Sequence, residues 1–343
     1  MSEPKIKNMD EFASVSGISR PTLSKYFNNP DSVRKSTRER IEEALEKFDY
    51  RPNLYAMNQN RRLTKTIGIV VPNLTDPFFV KIARHIEDHV IAAGYRPVLL
   101  GSHGTQEQEL ENLNNLRLLK PAGALLAPLG RVSDKPQIQQ FCDEVPTVLF
   151  DANIEDIGEA FIGSNNQQSI TTVVEYLCRT GDAPAFFEMK TPTNPNAVKR
   201  RTAYISSMER LGHLPQLIQV DGDGWDFEEI GFREGTRLLS ERHLKTDTIL
   251  CSNDRLAIGL LSAAYQQGLR VGLGDGCALR VAGHDDHPFS RYTCPTLTTV
   301  SQDYSAIAQT SAETLVARIE SNRALDSRRE ILFDGKLVMR GSA

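Results

Sequence analysis

Apolar positions recur along this chain with two different periods, and the change falls near residue 66. Up to about residue 50 the period is helical. EFASVSG, SRPTLSKYFN and STRERIEEALEKF each form a short helical pattern, and in the third Ile41, Ala44, Leu45 and Phe48 recur at i, i+3, i+4 and i+7. Ser36-x-x-Glu39 has the form of a capping box for that helix. Asn29-Pro30 separates the second helix from the third. Arg51-Pro52 ends the third, because the residue before a proline is pushed out of helical geometry. Three short helices can share one small core. The stretch that follows, NLYAMNQNRRLTKT, is polar and basic with few core-forming residues, which predicts a linker.

From Thr66 the pattern changes to short apolar runs. TIGIVVP, YRPVLLG, AGALLAP, VPTVLF and AFIGS are separated by helical patterns such as FVKIARHIEDHVIAAG and EQELENLNNLRLL, the alternation of a doubly wound parallel sheet. A second set follows in APAFFEM, QLIQVD, TDTILCS and ALRVAGHD. Two α/β lobes account for these runs better than one sheet of ten strands. Open parallel sheets bind ligands beyond the carboxyl ends of their strands, so a small ligand is expected where the lobes meet. The expected division is a helical head over 1–51, a hinge over 52–65 and an α/β body over 66–343.

Composition fits a folded cytoplasmic protein: 343 residues, 40% apolar and 24% charged, with no apolar run of signal-peptide length at the front and none long enough for a membrane span. The five cysteines (Cys142, Cys178, Cys251, Cys277 and Cys294) are widely spaced with no CxxC pair, which points away from disulfides and structural zinc. The net charge of −4 is unevenly placed. Residues 1–65 hold 13 Lys/Arg against 9 Asp/Glu, net +4, and the remainder holds 27 against 35, net −8. A basic head on an acidic body suits nucleic-acid binding at the front.

The head carries a helix-turn-helix spacing. Ala13 is small enough to let two helices approach, Gly17 takes the turn between them and Leu23 anchors the second helix, with Phe12 and Ile18 alongside. Ser19 is placed to cap the second helix, and Pro21 falls in its first turn, where a missing N–H costs little. A recognition helix meets base edges with its N-terminal side chains, so Arg20 and Thr22 are candidate readers of sequence and Lys25 a base or phosphate contact. An ordinary αα-hairpin would show the same spacing; the positive charge of the head and linker favours DNA.

FASVSGISRPTLSKYFNNPDSVRKSTRERIEEALEKFDYRPN resembles the head of the lactose/galactose repressor (LacI/GalR) family, down to Asn28 closing the recognition helix, the Val33…Thr37-Arg38 pattern and Tyr50-x-Pro52-Asn53 opening the hinge. The resemblance continues through VPNLTDPFF, RRTAY, CSNDRLAIG, VAGHDD and PTLTTVSQDY, in family order over nearly the whole chain. It implies a three-helix helix-turn-helix head on a periplasmic-binding-protein-like body of two doubly wound parallel-sheet lobes. The first lobe is expected at about 66–163 and 292–325, and the second at about 164–291 and 326–343. It also implies a homodimer holding two heads on pseudo-palindromic double-stranded operator DNA, with no membrane role. Asn53, Ala56, Met57 and Gln59 then become minor-groove candidates. Where the family wedges a leucine between base pairs this chain has Gln59, so Met57 or Leu54 takes that role, the bend is smaller, or the hinge reads the groove by hydrogen bonding.

A sugar between the lobes needs an aromatic platform and paired hydrogen-bonding groups. The resemblance nominates Phe78, Phe79, Arg201, Asn253, Asp285 and Gln302, with Asn165 in GSNNQQS and Trp225, the sole tryptophan, in GDGWD. Phe78 and Phe79 can equally be core, and Arg201 a surface ion-pair partner. Asp254 is expected to cap the helix after Asn253. The implied effector is a small sugar, sugar acid or polyol, which either releases DNA or is needed to hold it.

Enzyme signals are weak. GLGDG at Gly272–Gly276 lies between a helix and a strand rather than opening a helix, and GxSxG, HExxH and GxxxxGK[ST] are absent. No cofactor is expected. The alternative is a cytosolic or transport-type sugar-binding protein with the same body and no DNA role, which the head argues against.

Overall fold

The computed structural model describes residues 6, 8–28, 30–50, 64–192, 194–241, 244–321, 323 and 327–343. Contacts divide the chain into two compact units, 1–64 and 65–343.

The first unit contains helices α1 (Met9–Ser16), α2 (Arg20–Asn28) and α3 (Lys35–Phe48). Asn8 caps α1 by accepting from Glu11 N–H at 2.9 Å. Gly17 ends it with φ of 66°, a left-handed conformation that glycine adopts without a Cβ penalty. Phe12, Ile18, Leu23, Tyr26, Ile41, Ala44 and Tyr50 form one core, in which the Phe12 and Tyr50 rings stack at 4.5 Å. The expected capping box is not formed. The helix begins one residue before Ser36, and Arg34 stands at the cap position with no side-chain bond.

The second unit is two α/β lobes. Strands β1 (Thr66–Val71), β2 (Arg96–Gly101), β3 (Gly123–Leu126), β4 (Thr147–Phe150) and β5 (Ala160–Ser164) belong to a six-stranded parallel sheet. Helices α4 (Pro77–Ala92), α5 (Gln106–Leu118) and α6 (Lys135–Glu144) connect them. The second sheet is parallel and four-stranded, made of β6 (Ala185–Met189), β7 (Leu217–Val220), β8 (Thr248–Cys251) and β9 (Arg280–Ala282) in the order β7-β6-β8-β9. Its helices are α7 (Asn166–Thr180), α8 (Pro195–Arg210), α9 (Phe227–Glu241) and α10 (Asp254–Gln266). Four elements complete the body: β10 (Thr299–Ser301), α11 (Tyr304–Ser321), β11 (Arg329–Phe333) and β12 (Lys336–Val338).

The lobe boundaries differ from expectation. Residues 292–301 belong to the second lobe, because Leu297 and Val300 sit in its cores and β10 pairs antiparallel with β12. Conversely, β11 pairs with β5 at the edge of the first sheet. Its half-exposed side chains give an edge strand little apolar signal to read. The chain therefore crosses between lobes near 165, 302 and 334. After the second crossing, Ile307, Ala308, Ala312 and Leu315 of α11 enter the first lobe's core.

Helices α9 and α10 approach backbone to backbone. A Cβ on Gly259 would meet Glu228 O at 2.2 Å, and one on Gly231 would meet Leu256 O at 2.3 Å, so glycine is required at both positions. This packing fixes Glu228 beside Arg255. No helix among the described residues is long and apolar enough to cross a membrane.

Candidate functional site

In the first unit, α2 buries Leu23 and Tyr26 and leaves Arg20, Pro21 and Lys25 exposed, with Thr22 partly so. Ser19 Oγ accepts from Thr22 N–H at 3.4 Å and lies 2.7 Å from Thr22 Oγ1, which holds the first turn. Arg20 Nε is 3.2 Å from Asp10 Oδ1, both well exposed, so this pair leaves the guanidinium at the surface. Asn28 is the last residue of α2. The hinge candidates Asn53, Ala56, Met57 and Gln59, with Leu54, lie outside the described residues.

The body's cleft encloses about 860 Å³ of empty space, part of it open to solvent. Its floor is a charged network. Arg200, on α8, donates from Nη2 to Asp285 Oδ1 at 2.8 Å, from Nη1 to Ser252 O at 2.8 Å and from Nε to Asn166 Oδ1 at 3.0 Å. Gln302 Nε2 donates to the same Asp285 oxygen at 2.7 Å, and Gln302 accepts from Ser164 Oγ. The Tyr304 hydroxyl donates to Asp285 O, and His284 Nδ1 is 2.9 Å from Asp285 Oδ1. Burial works against the Asp285 charge, but Arg200 and His284 outweigh it and hold its pKa below the ordinary carboxylate range. Burial, with Arg200 adding to it, depresses His284 to about 4. A neutral His284 therefore donates from Nδ1 to the carboxylate.

The other lobe contributes Asp151, just beyond β4 and only 4% exposed. Asn196 Nδ2 donates to its Oδ1 at 3.0 Å, while Oδ2 is buried with no partner among the described residues. Burial pushes this carboxyl up to about 7 against the opposing pull of Arg200. Asp151, Asp285 and Asp286 all hold positive φ, at 59°, 121° and 49°. Backbone strain of this kind in non-glycine residues concentrates at functional sites. A second link joins the lobes at Asp76, which caps α4 by accepting from Phe78 N–H at 2.9 Å. Its Oδ2 accepts from Arg255 Nη1 at 3.0 Å, and Arg255 Nε donates to Glu228 Oε1 at 2.7 Å.

Aromatic walls complete the cleft. Phe79 is almost wholly buried in the first lobe's core yet its ring meets Trp225 of the second lobe at 5.8 Å; Phe78 packs edge-on to Tyr304 at 5.3 Å. Phe78, Phe79, Trp225, Asn253 and Asp285 all line the cavity. Asn253 Oδ1 accepts from Leu256 N–H at 2.8 Å and is itself the cap of α10.

Four expectations need correction. Arg201 does not line the cleft: a residue one place along a helix is turned by roughly 100°, and Arg201 faces the buried Glu188, 2.5 Å away. Arg200 takes the cleft position instead. Asn165 caps α7 through Gln168 N–H at 3.1 Å and donates to Asp334 at 2.8 Å, outside the cavity. Gln302 acts behind the wall by holding Asp285. Asp254, expected as the helix cap, is instead a buried anchor accepting from His287 N–H, Ser290 Oγ and Thr299 Oγ1 at 2.8, 2.6 and 2.6 Å. That anchor fixes the loop carrying Asp285, Asp286 and His287.

Sequence reasoning missed Asp76, Asp151, Arg200 and Arg255. For Arg200 a signal existed. Asn196, Arg200, Ala203, Tyr204, Ser207 and Met208 are buried at helical spacing, and Arg201 falls off that stripe.

The fold defines a class: a helix-turn-helix unit and a two-lobed body of the periplasmic binding protein type in one chain. Residues 8–53 match the lacI family of bacterial regulatory proteins, and residues 175–343 match the periplasmic binding protein-like domain. The chain is 27% identical over 345 residues to the ribose operon repressor of Escherichia coli (strain K12), covering 98% of this chain and 99% of that one. It is 28% identical over 336 residues to the HTH-type transcriptional repressor CytR of the same strain, covering 97% and 95%. The Lac repressor dimer bound to operator and the anti-inducer ONPF superposes with a TM-score of 0.82 at 24% identity, covering 98% and 99%. The chain belongs to the LacI family and is a DNA-binding transcriptional regulator, not an enzyme.

Proposed function

We propose that the protein is a cytoplasmic repressor that binds a pseudo-palindromic operator as a homodimer and changes its DNA affinity when a sugar, sugar acid or polyol enters the cleft. One observation carries this reading most strongly: groups from both lobes converge on one cavity, and two ion-paired or hydrogen-bonded links, Asp76–Arg255 and Asp151–Asn196, already cross it. A ligand gripped from both sides binds the closed body better than the open one. Only such differential binding can shift a two-state equilibrium, with coupling of about 1–3 kcal/mol typical.

The roles follow from hydrogen-bonding capacity. Arg200 has four of its five N–H groups engaged, the fourth by a long 3.5 Å bond to Asp285 Oδ2, so one Nη2 hydrogen is left for ligand. Asp151 Oδ2 and Asp285 Oδ2 accept from hydroxyls. Phe78 and Trp225 offer apolar faces to ring C–H groups. In the head, Arg20, Thr22 and Lys25 meet the major groove, Ser19, Pro21 and Asn28 lie at the ends of the same helix, and Asn53, Ala56, Met57 and Gln59 meet the minor groove.

The reading is tested by selecting DNA from a random pool with the full chain, then titrating the selected duplex with and without each sugar that raises the protein's melting temperature. Release of DNA identifies an inducer and tighter binding a co-repressor. A stabilising sugar that leaves DNA affinity unchanged contradicts the coupling.

A further inference from the structure

His287 is buried, 5% exposed, and lines the cleft beside Asp285 and Asp286. Two bonds fix it. Its main-chain N–H donates to Asp254 Oδ2 at 2.8 Å, and its ring Nδ1 accepts from Phe289 N–H at 3.2 Å. A ring nitrogen that accepts carries no proton, and burial lowers the pKa of this imidazole, so the ring is neutral with its hydrogen on Nε2. That Nε2–H is buried and has no partner among the described residues. A buried donor left unpaired costs about 1–3 kcal/mol, and the ring cannot flip without giving up the Phe289 bond. On the opposite lobe Asp151 Oδ2 is an acceptor in the same condition.

We propose that His287 is a specificity-determining contact for the effector, giving a hydrogen bond from Nε2 to a ligand oxygen; this rests on the reading of the cleft as the effector site. Two of the three unpaired cleft groups among the described residues, His287 Nε2 and Asp151 Oδ2, have opposite polarity; the third, Trp225 Nε1, is a donor like His287. Where Asp151 is ionised, above about pH 7, a carboxylate on the ligand serves His287 but repels Asp151, and an ammonium serves only Asp151. Hydroxyl groups serve both, because each donates and accepts. The effector is therefore a neutral polyhydroxylated molecule with a hydroxyl at the His287 end.

The test is calorimetric titration of the full chain with D-ribose, D-xylose, D-glucose and D-galactose, followed by the monodeoxy analogues of the tightest binder. His287→Asn keeps an acceptor for Phe289 N–H but has no donor reaching as far as Nε2; His287→Phe is the second variant should the first fail to fold. Wild type should lose roughly tenfold in affinity when one particular hydroxyl is removed. The variant should bind the parent sugar roughly tenfold more weakly and be indifferent to removal of that hydroxyl. Wild-type affinity in the variant overturns the proposal. So does equal weakening for every analogue, the mark of a merely structural role. If anionic sugar derivatives bind in place of neutral aldoses, the assignment of ligand class falls while the effector reading stands. If no sugar of either kind binds, the effector reading falls and this inference with it.

Discussion

Arg200 Nη2 stands 2.8 Å from Asp285 Oδ1 in the cleft floor, while the next residue, Arg201, faces Glu188 2.5 Å away. Two adjacent arginines on one helix thus each neutralise a carboxylate, one inside the cavity and one outside it. Breaking either pair leaves a buried charge, a loss of about 3–5 kcal/mol. Arg200→Ala should therefore lower the melting temperature and abolish its rise with sugar. Arg201→Ala should lower the melting temperature but keep that rise. Melting curves with and without the binding sugar check this; loss of the sugar response in the Arg201 variant alone would reverse the assignment.

The Asp76–Arg255 bond joins the N-terminus of a first-lobe helix to a second-lobe helix, with Glu228 holding the guanidinium in place. Arg255→Gln removes the cross-lobe charge pair and favours the open body. Small-angle scattering should show a larger radius of gyration in the absence of sugar, returning toward the wild-type value at saturation. Equal radii with and without the substitution would show that the link does not govern closure.

Two buried groups titrate in opposite senses. Asp151, raised to about 7, contributes stability below the ordinary carboxylate range that is lost as pH rises through 7. His284, depressed to about 4, contributes stability above 6.5 that is lost as pH falls through 4. Asp151→Asn retains the acceptor for Asn196 and removes the first effect. The variant should melt higher than wild type at pH 8 and lose stability more steeply on acidification toward pH 4. A melting profile parallel to wild type across that range would contradict the burial assigned to Asp151.

The sequence was informative wherever an element buries one face. The three head helices and the nine strands from Thr66 to Ala282 lie on the apolar runs that predicted them. The edge strand β11 buries too little apolar surface to be read, so it was missed and the lobes were divided wrongly. Within the site, Asp285 was visible through its motif, and Trp225 through being the sole tryptophan. Arg200 and Arg201 are chemically identical, and only the buried stripe of α8 separates them. Asp76 and Asp151 were not singled out because their roles depend on partners more than forty positions away, Arg255 and Asn196. No local pattern encodes such a meeting.

Coupling of a DNA-reading head to a sensing cleft in one chain is what the proposed function requires. Its most direct measurement is binding of the full chain to DNA selected from a random pool, compared with the double variant Arg20→Ala, Lys25→Ala. A pseudo-palindromic selected sequence bound by wild type is expected, with loss of that binding in the double variant and an unchanged sugar-induced rise in melting temperature in both. Selected DNA bound equally by the variant, or a sugar response lost together with DNA binding, would contradict it.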